Sequence, residues 1–164
     1  MLALRCTRRL LDRIPAIATE LPDRAASPLG YWYANLLQIH GKPHVLAMSE
    51  YSLLCVVLPA APYATLLGRF PFALEDLMRA LNFPMNLIAA ELRYCESMCA
   101  APTVNKSAVA SLNQYMHGLK ADVMFNPDNS LRQRELWLSQ YISKVIEFRA
   151  PREAALKLLA VQRG

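Results

Sequence analysis

The pattern of apolar and polar positions runs from strands in the first third of the chain to helices in the rest. Met1 to Cys6 is short and apolar and predicts a first strand. Thr7 is placed to cap a brief helix over Arg8 to Ile14, which Pro15 ends or bends. Pro22 to Pro28 is polar and proline-flanked, a loop. From Tyr31 to Ile39 the chain is rich in strand formers. Tyr31, Tyr33, Asn35, Leu37 and Ile39 share one face, and Trp32, Ala34, Leu36 and Gln38 the other. Both faces are largely apolar, so a central strand is expected, with Asn35 the exception. His40 to Pro43 is a turn, His44 to Met48 a second strand, Ser49-Glu50-Tyr51 a tight link, and Ser52 to Leu58 a third strand closed by Pro59. Links this short leave no room for the crossover that a parallel pair needs, which predicts an antiparallel meander.

After Pro62 the period becomes helical. Leu74, Leu77, Met78 and Leu81 form one stripe, with Pro71 near the expected start of that helix. Asn82-Phe83-Pro84 is a break, and Asn86 is placed to cap a helix running to about Tyr94. Ser97 to Ala101 either extends that helix or forms an edge strand before Pro102. In the stretch Thr103 to Val123, the residues Val109, Leu112, Met116, Leu119 and Val123 fall three and four apart on one helical stripe. Ser107 and Asn105 compete as its N-cap. Asn113 borders the stripe, so its amide needs a partner if buried, and Asn35 is a candidate to face it. Ser130 and Gln133 fit a capping box. The stripe after it is Leu131, Leu138, Ile142 and Val145, joined by Tyr141 and Ile146, with Trp137 off to one side. Ala150-Pro151 stops that helix, and 152–162 reads as a short, peripheral terminal helix. The expected fold is α+β: one domain over 1–164, an antiparallel meander sheet of about four to five strands covered on one side by helices.

Composition fits a globular chain, with 54% hydrophobic and 19% charged residues. No apolar run is long enough for a membrane span, so no membrane partner is expected. The Arg-rich opening suggests a presequence, but Asp12, Glu20 and Asp23 and the lack of a small-residue cleavage site argue against any leader. The 18 Lys and Arg outnumber the 13 Asp and Glu, for a net charge of +5. They gather partly as Arg5, Arg8, Arg9 and Arg13, and as Arg149, Arg152, Lys157 and Arg163. Such groups suit nucleic acid or an acidic partner; without an aromatic-interleaved basic stripe, a solvated surface is the plainer reading. Cys6 and Cys55 sit in strand patterns as small hydrophobes. Cys95 and Cys99 lack a second pair, and His40, His44 and His117 stand at no ligand spacing from them. No metal, no cofactor and no disulfide framework are expected, which places the chain in a reducing cytoplasm.

Three segments together carry a resemblance: Trp32-Tyr33-Ala34-Asn35-Leu36, Val56-Val57-Leu58-Pro59, and Asn105-Lys106-Ser107 followed by Ser111-Leu112-Asn113. In this order they resemble an uncharacterised family of small bacterial proteins, a domain of unknown function, over roughly Met1 to Lys120. Its pattern is a W-x-A-N-L strand, a V-V-L-P strand end and an N-R-S-V-L-G-S-[LM]-N helix start. The resemblance implies a first strand, the meander and a strand just before the signature, which favours the strand reading of Ser97 to Ala101. It implies no activity. Pro102-Thr103 stands where the family has Lys-Thr, Lys106 where Arg is usual, Ala110 where Gly is usual and Ser49 where Asn is usual. Chemistry that needed that lysine or a bidentate guanidinium is thereby in doubt.

No Ser-His-Asp order, paired-carboxylate motif or metal triad stands out. The leading expectation is a non-enzymatic cytosolic interaction or accessory protein that binds another macromolecule or its own copy. Its partner surface would be Trp137, Arg149, Arg152 and Lys157. The rival is an enzyme or binding protein for a phosphate-bearing or nucleic-acid ligand at the 103–113 loop and helix start. There Lys106 would hold the anion, Thr103, Asn105 and Ser107 would supply hydrogen bonds, and Asn35 and Asn113 would orient the loop. His117 or Glu50 would move protons if the fold brings either close. The plainer reading of the same residues is that Asn105 and Ser107 cap a helix.

Overall fold

A computed structural model describes residues 1–15, 17–18 and 20–161. Gln162, at the expected end of the terminal helix, and Arg163, of the C-terminal basic group, lie outside the described residues. The strands are β1 (Leu2–Cys6), β2 (Trp32–Ile39), β3 (Lys42–Ser49), β4 (Cys55–Pro59) and β5 (Met98–Pro102). The helices are α1 (Arg8–Leu11), α2 (Leu66–Ala80), α3 (Met85–Tyr94), α4 (Lys106–Phe125), α5 (Leu131–Leu138) and α6 (Pro151–Val161). Short 3-10 turns lie at Tyr63–Thr65 and Lys144–Ile146.

The fold is α+β, but the sheet is mixed. Its order is β4-β3-β2-β1-β5. β2, β3 and β4 form the expected antiparallel meander, whereas β1 runs parallel to both β2 and β5. The expectation of a purely antiparallel sheet is corrected by the long connections. Residues 7–31 separate β1 from β2 and residues 60–97 separate β4 from β5, both long enough for a crossover. The β2–β3 hairpin turns on two residues, His40 and Gly41, with φ of 51° and 75°. That backbone twist matches paired strands, and glycine takes its half without strain.

Helices cover both faces rather than one. Trp32 packs edge-on against Phe70 of α2, ring centroids 5.2 Å apart. Its neighbour Tyr33, on the opposite face, meets the chain just before α4 through its hydroxyl. β2 and β3 are apolar on both faces, so each face demands cover. Each sheet edge takes a further hydrogen bond from outside the sheet. The N–H of Ala18 donates to the Ala100 carbonyl at 2.8 Å along β5. Glu135 of α5 accepts the edge N–H of Val57 in β4 at 2.9 Å.

Several boundaries move. α2 starts at Leu66, which places Pro71 inside the helix, because its stripe continues back through Phe70 and Leu66. α3 starts after Pro84, so Asn86 is not its cap. The segment expected as helix or strand over Ser97 to Ala101 is strand, shifted by one residue to β5 at Met98–Pro102. The Ser130–Gln133 capping box forms with both of its bonds. α5 nevertheless stops at Leu138: the Ser139 hydroxyl bonds back to the Leu136 carbonyl at 2.6 Å. Ile142 and Val145 therefore leave the core and lie exposed, while Ile146 stays buried. No helix among the described residues is long and apolar enough to cross a membrane.

Candidate functional site

The start of α4 is built on Asn105. Its Oδ1 accepts from the N–H groups of Ser107 and Ala108 at 3.0 and 3.2 Å, which makes Asn105 rather than Ser107 the cap. Its Nδ2 donates to Glu50 Oε1 at 3.0 Å, and its own N–H donates to the Tyr33 hydroxyl at 3.2 Å. Burial raises the Tyr33 phenol above its usual range, so it stays protonated. The other Glu50 oxygen accepts from the N–H of Tyr31 at 3.4 Å. Arg5 stands beside this group, its guanidinium 4.9 Å from the Tyr31 ring centroid and its Nη1 donating to the Pro102 carbonyl at 3.0 Å.

Gly30 holds the Glu50 turn against this cluster. Its φ is +80°, and a Cβ there would lie 2.9 Å from Glu50 Cβ and 3.0 Å from Tyr51 Cδ2. Gly30→Ala is expected to cost about 1–3 kcal/mol through the left-handed backbone and the clash together. A urea unfolding series reads this directly, and an unchanged midpoint would show that the turn yields freely.

The other residues expected at this site are less engaged. Lys106 and Ser107 are exposed, and Thr103 is half-buried with no side-chain hydrogen bond among the described residues. Asn113 is exposed and likewise unbonded. Asn35 does not face it: Asn35 Oδ1 accepts from the Thr7 hydroxyl at 2.7 Å and from the Leu36 N–H at 2.8 Å. Thr7 thus spends its hydroxyl on β2 and makes no side-chain cap bond to α1. Glu50 is brought to the loop. His117 is not, lying eleven residues along α4 from Lys106, about 16 Å at 1.5 Å per residue. An anion here would find two first-turn N–H groups already bonded to Asn105 and a carboxylate beside the cap. Both weigh against it.

The C-terminal residues divide differently. Trp137 lies over Gly118 of α4, where a Cβ would come 3.4 Å from its ring. Its ring meets Tyr141 edge-on at 5.9 Å, and Tyr141 meets Tyr115 at 5.7 Å. Beyond this trio Ile142, Val145 and Phe148 are 63, 57 and 70% exposed. Arg152 turns inward: its Nε donates to the Leu81 carbonyl at 2.8 Å, beside the Phe83 ring. It satisfies a carbonyl at the end of α2, so it ties the fold together rather than offering itself to a partner. Arg149 makes a loose 3.9 Å pair with Glu147, and Lys157 is exposed with no ion pair among the described residues.

Two cavities link these regions. One of about 240 Å³ is lined by Glu50, Asn105, Ser107 and Ser111; the other, about 560 Å³, by Arg24, Ser27, Arg149 and Lys157. Tyr51 and Val145 line both. The start of α4 and the basic C-terminal residues, read separately in the sequence, are therefore neighbours. Sequence reading missed Arg24, Tyr51, Ile142, Val145 and Phe148. The signal for Ile142 and Val145 was their apolar character after a helix that Ser139 ends, which their helical spacing concealed.

The sequence model of a family described as Domain of unknown function (DUF6933) matches residues 3–154. No curated protein matches the chain.

Proposed function

The chain belongs to the DUF6933 family, whose description states no activity, and from its surface we propose a non-enzymatic interaction protein that docks an acidic protein partner around Trp137, Phe148 and Lys157. The observation that carries this reading is the run of exposed large apolar side chains at Trp137, Tyr141, Ile142, Val145 and Phe148. Apolar groups gathered on one stretch and edged by cations are typical of protein-binding surfaces. Arg149 and Lys157 at its margin favour an acidic partner. A second copy would bring the same cations against them, so self-association ranks behind.

The three-segment signature of the sequence reads, on this proposal, as frame rather than site. Trp32 packs under α2, Asn35 ties β2 to Thr7, and Asn105 caps α4. Partner choice then lies outside the signature. The protein would work in a reducing cytoplasm, where its four cysteines stay free thiols.

The test is recovery of the tagged protein from its native host at low salt, beside an Ile142→Glu/Phe148→Glu variant. The expected result is a stoichiometric acidic protein with the wild type that is lost from the variant. Exposed positions tolerate the change, so equal thermal midpoints are expected. Identical recoveries, or nucleic acid as the only companion, would overturn the reading.

A further inference from the structure

We propose that the larger cavity, between residues 24–28 and α6, binds a small amphipathic anion: a single negatively charged head group on an unbranched alkyl chain. The cavity shares Val145, Arg149 and Lys157 with the partner surface, but neither Ile142 nor Phe148 lines it. Its volume of about 560 Å³ falls within the range of small-ligand sites, about 300–1,000 Å³. Pro28, Val145, Ile146 and Leu158 give it an apolar wall.

The polar groups sort to one role. Arg24, Arg149 and Lys157 come from three separate segments to the same cavity. Arg24 and Lys157 have no ion pair or hydrogen bond among the described residues. The opposing charge is Glu147, 79% exposed and held only loosely at 3.9 Å by Arg149. Ser27 lines the cavity but is turned away from it: its hydroxyl donates to the buried Glu91 at 2.6 Å and accepts from the Leu29 N–H at 3.1 Å. The cations thus offer a charge for a head group, and the wall offers apolar cover for a chain. Arginine and lysine on flexible stems meet an anion while their own stems extend the apolar wall.

Calorimetric titration of the full chain with decanoate, decanol and butyrate tests this. One decanoate per chain is expected, with decanol and butyrate each at least tenfold weaker. An Arg24→Gln/Lys157→Gln variant is expected to lose about tenfold in decanoate affinity and much of its salt dependence. These side chains are exposed and make no hydrogen bond or ion pair among the described residues, so the variant is expected to fold; Ala26→Trp, at an exposed lining position, should block binding by filling the cavity. Equal affinity for decanol and decanoate, indifference to the double substitution, or no decanoate binding by the wild type would each overturn the proposal.

Discussion

Replacing Asp122 by alanine should lower the unfolding free energy by about 3–5 kcal/mol, the cost of stranding a buried charge. Arg134 on α5 is completely buried, and its Nη1 donates to Asp122 Oδ2 on α4. Its Nε and Nη2 find no partner among the described residues, so Asp122 carries the whole compensation. Asp122 also accepts from the side-chain amides of Asn126 at 3.0 Å and Asn129 at 3.4 Å, which fixes the turn into α5. Domains of this size are stable by only about 5–15 kcal/mol, so a loss of that order is severe. Urea unfolding of Asp122→Ala measures it. The double variant Asp122→Ala/Arg134→Met should recover most of the loss, since an apolar pair needs no counter-charge. A single variant within about 1 kcal/mol of wild type would mean that Arg134 is solvated by other means.

The second large expectation is a stability that falls as pH rises from about 4.5 to 7. Glu91 is fully buried on α3, with one oxygen on the Ser27 hydroxyl and the other without a partner among the described residues. Burial pushes its carboxyl from 4.5 up to about 7, against the opposing pull of the Ser27 bond. Burial raises Glu135 to about 7 as well, opposed by the Val57 N–H and Arg132. The folded chain therefore keeps protons that the unfolded chain releases above about 4.5. The stabilisation is complete below that pH and is lost as pH rises through about 7. Each group contributes on the order of 3 kcal/mol across the window, at about 1.4 kcal/mol per pH unit. Urea midpoints at pH 5 and pH 8 read the effect, and Glu91→Gln should remove its share of the slope. A flat profile in the wild type would show that both carboxylates are ionised inside the fold at little cost.

What could be read from the sequence was local. The turn expected over His40 to Pro43, the alternation in β2 and the Ser130–Gln133 box depend on residues within a few positions of one another, and each appears, although the turn tightens to His40 and Gly41 and gives Lys42 and Pro43 to β3. The parallel placement of β1 and β5 depends on which edge the chain returns to, and nothing within β1 or β5 records it. Pro71 misled because a proline is usually read as a helix start, while Phe70 and Leu66 were already on the buried stripe. At the candidate site, Asn105 was legible as a cap, but its bond to Glu50 was not, since 55 positions separate the two. Arg152 was counted with the exposed cations on charge alone; only the fold shows the Leu81 carbonyl beside it. The exposed apolar run from Trp137 to Phe148 had the composition of core, and burial is what distinguishes the two.

A photo-crosslinking residue placed at position 148, with one at position 72 as control, tests the interaction surface most directly. Phe148 and Phe72 are both 70% exposed, so they differ in location and not in access. A docking surface at Phe148 predicts one discrete crosslinked protein from position 148 in native extract, abolished by Arg149→Glu/Lys157→Glu, and none from position 72. Equal, diffuse crosslinking from both positions, or a discrete product from position 72 alone, would contradict it.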